Sequence, residues 1–243
     1  MNYEMRNSLK VFIDFDGTIT QTDIGENMFL RFGDKVAAYS IINRWIDKEI
    51  SSTESWKLLC NTINNFDQKA FDDFIDEIQI DPFFKCFYDF CIKNKIEIFV
   101  LSDGLDYYIK KFFMNNGLDE IKFFSNLFSL GADKKITPLF PYLDEECLIC
   151  ANCKRNHIIE NSSDTDITIY IGDGYSDTCP AQFVDYLFAK KSLLKFCESN
   201  RISYFPFNNF NDVQKIMAQL ITKKRIKKRH HAVLKRKEVY LRG

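Results

Sequence analysis

A short apolar run that ends in two carboxylates, residues 11–18 with the sequence VFIDFDGT, most constrains how this chain can fold. A run of β-branched and aromatic residues closed by glycine is typical of a buried strand, with Asp14 and Asp16 at its carboxyl end. Ligands of open α/β sheets bind at that edge, and residues two apart on a strand point the same way. Two close carboxylates repel unless a cation lies between them or one is protonated, and oxygen ligands suit Mg²⁺. Taken alone, the segment also fits a strand that simply runs into an Asp-Gly turn.

Two further strand-like runs end in similar residues. The runs and the polar residues that follow them are 96–101 (IEIFVL) with Ser102, Asp103 and Gly104, and 167–171 (ITIYI) with Asp173 and Asp177. Lys154 lies between the two runs, at the start of a predicted helix. Four of the nine glycines follow the three strands, where glycine lets backbone N–H groups approach a phosphate closely.

The order Asp-x-Asp-Gly-Thr, Ser, Lys and Gly-Asp-Gly-x-x-Asp resembles the haloacid dehalogenase superfamily of phosphatases, over residues 11–207. The second motif and the cysteine-rich approach to Lys154 are most similar to the phosphoserine phosphatase-like branch, in particular the methionine-salvage phosphatases and the phosphocholine/phosphoethanolamine phosphatases. Phosphoserine phosphatases tend to carry Ser-Gly-Gly at the second motif, so Asp103 counts against a serine phosphate as substrate. The resemblance implies an α/β fold, in which an inserted helical type 1 cap joins a Rossmann-like core with a parallel sheet.

The predicted division of the chain follows from that resemblance and from the helical pattern after the first strand. The core comprises residues 1–20 and 82–222, the cap residues 21–81, and a basic C-terminal extension residues 223–243. Ser51 or Ser52, and Asp67, are predicted helix N-caps within the cap. Asp81 followed by proline predicts another helix start, and a helix is expected after Ser176. The alternative to a cap is a set of extra helices packed on the face of the sheet.

The resemblance implies a catalytic role for three residues. Asp14 is the expected nucleophile, which forms an aspartyl-phosphate as carboxylates do in covalent catalysis. Asp16 is the expected general acid and base, which protonates the leaving alkoxide and then deprotonates the attacking water. Lys154 is expected to offset the charge shared by the phosphate and Asp14, although the neighbouring Arg155 leaves an alternative one residue away.

The remaining motif residues are expected to bind phosphate or metal. The candidate phosphate ligands are Thr18, Ser102, Asp103 and Gly104. Asp14, Asp173 and the backbone carbonyl of Asp16 are the candidate Mg²⁺ ligands, and Asp177 is expected to position water or Lys154. Asp177 can equally be a carboxylate favoured by the dipole of a helix start.

The predicted function is Mg²⁺-dependent hydrolysis of a small phosphorylated metabolite. The resemblance suggests an enol-phosphate of methionine salvage first and a phospho-amine alcohol second. Asp23 lies where phosphoserine phosphatases place a substrate-contacting acid, and Glu26 is one turn further. Either can select an amine or hydroxyl, and either can be a solvated helix carboxylate. A phosphomutase or phosphotransferase that uses the same aspartyl-phosphate remains the alternative, and the intact motif set disfavours a non-catalytic binding module.

The eight cysteines predict a reducing compartment rather than a disulfide framework, because no export signal or membrane-spanning run precedes the first strand. We therefore expect a cytoplasmic protein. Cys147, Cys150, Cys153 and His157 form a Cys-x2-Cys-x2-Cys-x3-His pattern whose four donors can close a structural Zn²⁺ site. Thiols packed near the lysine loop, or redox-sensitive thiols, are the alternatives.

The charge of −1 conceals a strong asymmetry. Residues 223–243 contain ten Lys/Arg and one acid, whereas the rest of the chain has 23 basic and 33 acidic residues. The tail is dense enough in charge to bind nucleic acid or an anionic membrane surface. It lacks the interleaved aromatic residues of single-strand binders, so nucleic acid is not the favoured partner. We expect a solvated extension, which can be helical after Asn211, that touches its own domain or the neighbouring subunit of a homodimer.

Overall fold

The computed structural model describes residues 8–242, and within them seven strands form one sheet in the order β4-β3-β2-β1-β5-β6-β7. The strands are β1 (Leu9–Asp14), β2 (Glu97–Leu105), β3 (Phe123–Leu130), β4 (Ile136–Leu139), β5 (Ile167–Gly172), β6 (Tyr186–Ala189) and β7 (Phe205–Pro206). The first helices are α1 (Ile24–Phe32), α2 (Lys35–Ile46), α3 (Ser52–Asn61), α4 (Gln68–Glu77) and α5 (Phe84–Lys93). They are followed by α6 (Asp106–Asn115), α7 (Lys154–Glu160), α8 (Lys191–Ser199), α9 (Phe210–Ile221) and α10 (His230–Arg242).

The chain divides into two compact units. Unit one comprises Met1–Asp14, Asp81–Val100 and Lys154–Gly243, and unit two comprises Phe15–Ile80 and Leu101–Cys153. Strand β2 contributes residues to both. Unit two is larger than the cap anticipated from the sequence, since it also includes the segment after residue 100; the predicted boundaries of core and cap stay a prediction.

Unit one contains the parallel part of the sheet. β1 pairs in parallel with β5, β5 with β6, and β6 with β7. Val11, Ile169 and their neighbours in both central strands are fully buried, as expected for parallel strands that read as continuous apolar runs. Outside the sheet, Phe210 of α9 packs its ring 4.8 Å from Phe84 and 5.0 Å from Phe87 of α5.

Unit two contains capped helices and the antiparallel β3–β4 hairpin. Ser51 and Asp67 accept hydrogen bonds from backbone N–H groups of the first turns of α3 and α4, which confirms both as N-caps. Aromatic rings form much of the interior. Phe66 and Tyr107 both contact Phe128 of β3, with ring centroids 5.5 and 4.9 Å apart.

Two predicted helix starts are wrong in detail. α5 begins at Phe84, and Asp81 instead accepts a hydrogen bond from the Phe83 N–H at 2.9 Å. Where a helix was expected after Ser176, the chain forms two short 3₁₀ turns, Tyr175–Asp177, which contains Ser176, and Pro180–Gln182. Pro180 lacks an N–H donor, so a continuous helix through it would lose a hydrogen bond.

The basic tail touches its own domain, as predicted, but part of it is buried rather than solvated. Within α10, Ala232 is fully buried and Arg236 is only 6% exposed. The Arg236 guanidinium donates to the Asp185 carboxylate at 3.2 and 3.4 Å and to the Thr168 hydroxyl at 3.2 Å. The tail therefore packs on unit one through a buried ion pair.

Along residues 8–242, every helix is too short or too polar to cross a membrane.

Candidate active site

Asp14, at the end of β1, forms a buried ion pair with Lys154, the first residue of α7. The Asp14 Oδ1 atom lies 2.5 Å from the Lys154 Nζ atom, and the two residues are 5% and 2% exposed. Parallel pairing of β1 with β5 places Asp14 at the carboxyl edge of the strands of unit one. A buried ammonium requires such a partner because desolvation of an unpaired charge is costly.

Asp177 holds this arrangement in place. Its Oδ1 atom accepts hydrogen bonds from Lys154 Nζ at 2.7 Å and from the Tyr170 hydroxyl at 2.6 Å. Its Oδ2 atom accepts from the backbone N–H groups of Asp173 at 2.9 Å and Gly174 at 3.0 Å. With both oxygens occupied and no exposed surface, Asp177 fixes the Lys154 side chain and the loop after β5 together.

Gly172 makes that contact sterically feasible. A Cβ atom at this position would lie 2.4 Å from Asp177 Oδ2, so a side chain here would displace the carboxylate. Ser176 adds a further contact to Lys154, between its Oγ atom and the Nζ atom at 3.2 Å.

Asp173 completes a cluster that suits a divalent cation. Carboxylate oxygens of Asp14, Asp173 and Asp177 all lie within 4.8 Å of one another. Asp173 Oδ2 also accepts a hydrogen bond from Lys191 Nζ, the first residue of α8, at 2.8 Å. Hard oxygen donors in this number fit Mg²⁺, which usually binds one or two carboxylates and retains water.

The charges in unit one show why a cation is favoured there. Burial, followed by the neighbouring Asp177 carboxylate, raises the pKa of Asp14 well above its usual range, and Lys154 opposes this shift. Burial and Asp177 likewise raise the pKa of Asp173. Burial lowers the pKa of Lys154, but Asp14 and Asp177 more than compensate and raise it, so the ammonium stays charged. Three carboxylates with two ammonium partners, the buried Lys154 and the more exposed Lys191, leave negative charge that a bound cation would neutralise.

Asp16 is held within unit two by donors that carry no charge. The Ile24 N–H donates to Asp16 Oδ1 at 2.8 Å, and the Tyr108 hydroxyl donates to Oδ2 at 2.9 Å. The Ser102 hydroxyl lies 3.4 Å from the same Oδ2 atom. Burial, then the charge of Asp16, raise the pKa of the Tyr108 phenol well above its usual range, so Tyr108 remains a donor.

Ser102 and Gly104 lie near the carboxyl end of β2, which extends past the predicted run 96–101 to Leu105, and Thr18 lies in a turn; all three belong to unit two. The Ser102 hydroxyl accepts a hydrogen bond from the Gly104 N–H at 2.9 Å. Thr18 is buried in the turn after Phe15, where Gly17 adopts a φ of 72° that favours glycine. The structure thus brings Asp16, Ser102 and Gly104 together in unit two, and Asp14, Lys154, Asp173 and Asp177 together in unit one.

The Asp103 carboxylate binds other residues of unit two, and its predicted contact with phosphate stays a prediction. Its carboxylate accepts hydrogen bonds from the Ser52 hydroxyl and from the Asn152 N–H, the latter at 3.0 Å. The Asn152 side chain donates to the backbone carbonyls of Ser102 at 2.7 Å and Phe124 at 3.0 Å. These bonds tie the carboxyl end of β2 to the start of α3 and to the segment before Lys154.

The two acids considered for substrate selection lie at the start of α1. Asp23 is the N-cap, and its Oδ1 atom accepts a hydrogen bond from the Glu26 N–H at 2.7 Å. Glu26 is exposed in the first turn, where a carboxylate favours the helix dipole. These contacts account for both residues through local helix stability, and their predicted selection of substrate stays a prediction.

The zinc prediction is not supported. Along residues 8–242, the cluster of three or more potential metal ligands is the aspartate group above, and Cys147, Cys150, Cys153 and His157 form no such cluster. The thiols have different environments, since Cys147 and Cys150 are half-buried whereas Cys153 is buried. His157 is buried in α7, and burial lowers its pKa to about 4.

Several contact residues were not predicted from the sequence. Tyr170 lies inside a strand and Tyr108 inside a helix, where both read as ordinary aromatic core residues. Lys191 follows β6 in a stretch without a recognised motif. Asn152 lies two residues before Lys154, and its position beside a motif residue is the one signal that could have found it.

The comparison with protein families decides the identity. Residues 9–195 match the model of a family described as "Putative Phosphatase". This chain belongs to that phosphatase family. The phosphatase is 31% identical over 217 residues to a 2-hydroxy-3-keto-5-methylthiopentenyl-1-phosphate phosphatase of Bacillus cereus, which covers 88% of this chain and 98% of the relative. It is 29% identical over 238 residues to Pdp3-interacting factor 1 of Schizosaccharomyces pombe, covering 88% and 97% of the two chains.

Solved structures agree on the fold of the phosphatase. A substrate-bound phosphoserine phosphatase matches with a TM-score of 0.67 and 17% identity over 87% of this chain and 99% of its own. A phospho-aspartyl intermediate analogue of phosphoserine phosphatase matches with a TM-score of 0.66 and 16% identity, over 88% and 99%. The predicted α/β fold and the resemblance to haloacid dehalogenase-type phosphatases are confirmed, and the protein is a phosphoric monoester hydrolase.

Proposed function

We propose that this phosphatase hydrolyses a small phosphorylated metabolite through an aspartyl-phosphate on Asp14, with Mg²⁺ as cofactor. The observation that supports this best is the buried cluster in unit one, where Lys154 Nζ contacts both Asp14 and Asp177 and three carboxylates lie within 4.8 Å. Phosphoryl transfer depends mainly on positioning and charge neutralisation, and this cluster supplies a carboxylate nucleophile and a cation beside it.

In the first step a carboxylate oxygen of Asp14 attacks phosphorus, and the bond from phosphorus to the ester oxygen breaks. Lys154 contacts Asp14 Oδ1, so Oδ2 is the attacking atom. Asp16, two residues along the chain, gives its proton to the leaving alkoxide. In the second step Asp16 takes a proton from water, the water oxygen bonds to phosphorus, and the bond to Asp14 breaks to release phosphate.

The residues that would hold Mg²⁺ are Asp14, Asp173 and, by resemblance to the superfamily, the backbone carbonyl of Asp16. When bound, the ion supplies positive charge that screens the phosphate from the carboxylates. Lys154 also supplies positive charge next to Asp14, because its raised pKa keeps it an ammonium.

The proposed substrate class follows from the relatives. The Bacillus cereus relative is named for 2-hydroxy-3-keto-5-methylthiopentenyl-1-phosphate, and it aligns over 98% of its length. We take a small phosphorylated keto or enol compound of that kind as the substrate, ahead of a phospho-amine alcohol. Comparison of kcat/KM for that compound, phosphocholine and phosphoserine tests the order directly.

The mechanism is tested with p-nitrophenyl phosphate. We expect turnover with Mg²⁺ that stops in EDTA and returns when Mg²⁺ is restored. Asp14→Asn should lower kcat by about 10³-fold or more, because it removes the nucleophile. Acid-quenched wild-type protein should carry a phosphoryl group on Asp14 by mass spectrometry, and Asp119→Asn, at an exposed position, should behave as wild type.

Metal-independent turnover, or an Asp14→Asn protein as active as wild type, would contradict the proposal. A phosphorylated Asp14 whose phosphoryl group passes to an added sugar phosphate in preference to water would instead identify a phosphotransferase.

A further inference from the structure

Tyr108 is a polar residue buried in an apolar part of unit two. It is 1% exposed, and its ring packs edge-on against Phe71 and at a tilt against Phe15, with centroids 6.4 and 6.2 Å apart. A phenol in such a place needs a hydrogen-bond partner to offset the loss of water. Its partner is the carboxylate of Asp16, at 2.9 Å.

Two glycines provide the space that the Tyr108 hydroxyl occupies. A Cβ atom on Gly104 would lie 1.7 Å from the hydroxyl oxygen and 2.6 Å from the ring carbon that bears it. A Cβ atom on Gly25 would lie 3.1 Å from the same oxygen. Gly104 is therefore required for this hydrogen bond, independently of any contact it makes with phosphate.

The hydrogen bonds to Asp16 arrive at both oxygens of its carboxylate. The Ile24 N–H binds Oδ1 at 2.8 Å, and Tyr108 binds Oδ2. The backbone donor is fixed by the start of α1, and the phenol is fixed by its packed ring. Two rigid donors at opposite oxygens set the plane of the carboxylate.

We propose that Tyr108 is a positioning residue for proton transfer, which orients the Asp16 carboxylate toward the leaving oxygen of the substrate. The proposal rests on the role of Asp16 given above and adds the residue that holds it. A general acid must lie within hydrogen-bond reach of the atom that it protonates, so an Asp16 side chain that can rotate will protonate it less often. Loss of the phenol leaves nucleophilic attack by Asp14 intact and slows the departure of basic leaving groups.

The test compares two substrates of similar size. Benzyl phosphate releases a strongly basic alkoxide that needs a proton, whereas p-nitrophenyl phosphate releases a phenolate that is stable without one. The ratio kcat/KM covers the steps up to departure of the leaving group. We expect Tyr108→Phe to lower kcat/KM for benzyl phosphate by about 10-fold to 100-fold, part of the ~10²–10⁴-fold that general acid catalysis supplies, and for p-nitrophenyl phosphate by less than about 3-fold.

Three further variants distinguish the positioning role of Tyr108 from a general structural effect and from the role of Asp16 in the proposed function. Tyr107→Phe is the matched control: Tyr107 precedes Tyr108 in α6 and donates to Asp72 instead, so both substrates should be hydrolysed at wild-type rates. Asp16→Asn should show the same substrate selectivity as Tyr108→Phe but a larger loss. Gly104→Ala, which displaces the hydroxyl, should also lower benzyl phosphate turnover more than p-nitrophenyl phosphate turnover.

Equal losses for both substrates in Tyr108→Phe, or no loss for either, would overturn the proposal while leaving the proposed function intact if Asp16→Asn remains selective. An unselective Asp16→Asn protein would overturn the role of Asp16, and the role of Tyr108 with it.

Discussion

Asp14 and Asp16 lie two residues apart in the chain but are held by different kinds of donor. Asp14 contacts a buried ammonium, Lys154, that is itself shared with Asp177. Asp16 is bound by a backbone N–H and a phenol, both neutral. The Lys154 ammonium opposes the rise in the pKa of Asp14 that burial and Asp177 cause, so it favours the ionised form that a nucleophile requires. The donors to Asp16 fix the direction of its carboxylate without placing a positive charge beside it. The difference therefore matches the two roles proposed for these residues.

A third buried carboxylate shows that an ion pair alone does not identify an active site. Asp185 in unit one pairs with Arg236 and accepts hydrogen bonds from the Thr168 N–H at 3.1 Å and its hydroxyl at 3.0 Å. These contacts satisfy the Asp185 carboxylate and join α10 to the sheet. The Asp14 cluster differs because two carboxylates, Asp14 and Asp177, share its buried ammonium and a third, Asp173, lies within 4.8 Å of both, and it is this excess of negative charge that suits a metal ion.

The largest effect should come from removing the Lys154 ammonium, which contacts Asp14. Lys154→Met should lower kcat/KM for p-nitrophenyl phosphate by about 10²–10³-fold, the range for loss of one preorganised charge-stabilising group. Arg155→Met is the matched control, because Arg155 donates to the neighbouring Asn156 at 3.1 Å and its loss should change kcat/KM by less than about 3-fold. The opposite ranking of the two variants would assign the role to Arg155 and contradict the structure.

The second-largest effect should be a loss of folding stability with no change in kcat. Arg236→Ala should lower the free energy of unfolding by about 3 kcal/mol, because removal of one partner of a buried pair leaves the other charge uncompensated. The exposed Lys237→Ala should change it by less than about 0.5 kcal/mol. Urea unfolding measures both, and kcat at 25 °C should match wild type in each. An Arg236→Ala protein that is fully folded but inactive would show that the tail also supports catalysis.

The motif residues could be predicted from the sequence because each follows an apolar run that has one plausible structure. Asp14 ends β1 and Asp173 follows β5 directly, and parallel strands bring their carboxyl ends to one edge. Ser102 follows the predicted run 96–101, although β2 continues to Leu105. Lys154 was found by its place in the motif order. The sequence could not predict contacts between residues that are far apart in the chain. Tyr108 and Asp16 are 92 residues apart, and Arg236 and Thr168 are 68 residues apart.

The unsupported zinc site and the unexpected burial of the tail have a common physical origin. Regular spacing of Cys147, Cys150 and Cys153 indicates metal ligands only if the backbone turns all three thiols inward, and side-chain direction in a loop is not periodic. Like charges in the tail disfavour an isolated helix, yet α10 is not isolated. Burial of Ala232 and Arg236 against unit one supplies stability that local charge counting does not include.

His157 offers a smaller test, within the same helix as Lys154. Lys154 is kept charged by carboxylates, whereas burial keeps the His157 imidazole neutral and lowers its pKa from 6.5 to about 4. The unfolded chain therefore binds the proton more tightly, and stability falls as the pH drops below 6.5. Between pH 7 and 5 this amounts to about 2 kcal/mol. His157→Gln should remove that part of the pH dependence of unfolding, and the exposed His231→Gln should not. Parallel pH profiles for wild type and His157→Gln would show that the imidazole is not buried neutral.

The smallest expected effect concerns the ion pair between Asp173 and the exposed Lys191. The Lys191 side chain is 57% exposed, so its ion pair with Asp173 is worth less than about 1 kcal/mol in high-dielectric surroundings. A bound cation and the Lys191 ammonium compete for the same carboxylate. Lys191→Ala should therefore tighten Mg²⁺ binding about 2-fold to 5-fold, the equivalent of up to about 1 kcal/mol, as measured by Mg²⁺ titration of phosphatase activity. Lys195→Ala removes the same charge from an exposed position on α8 and measures the general electrostatic contribution. If both variants tighten binding equally, the contact between Lys191 and Asp173 has no specific part in metal affinity. The affinity for Mg²⁺ would then depend on the carboxylates themselves and on the general electrostatic field.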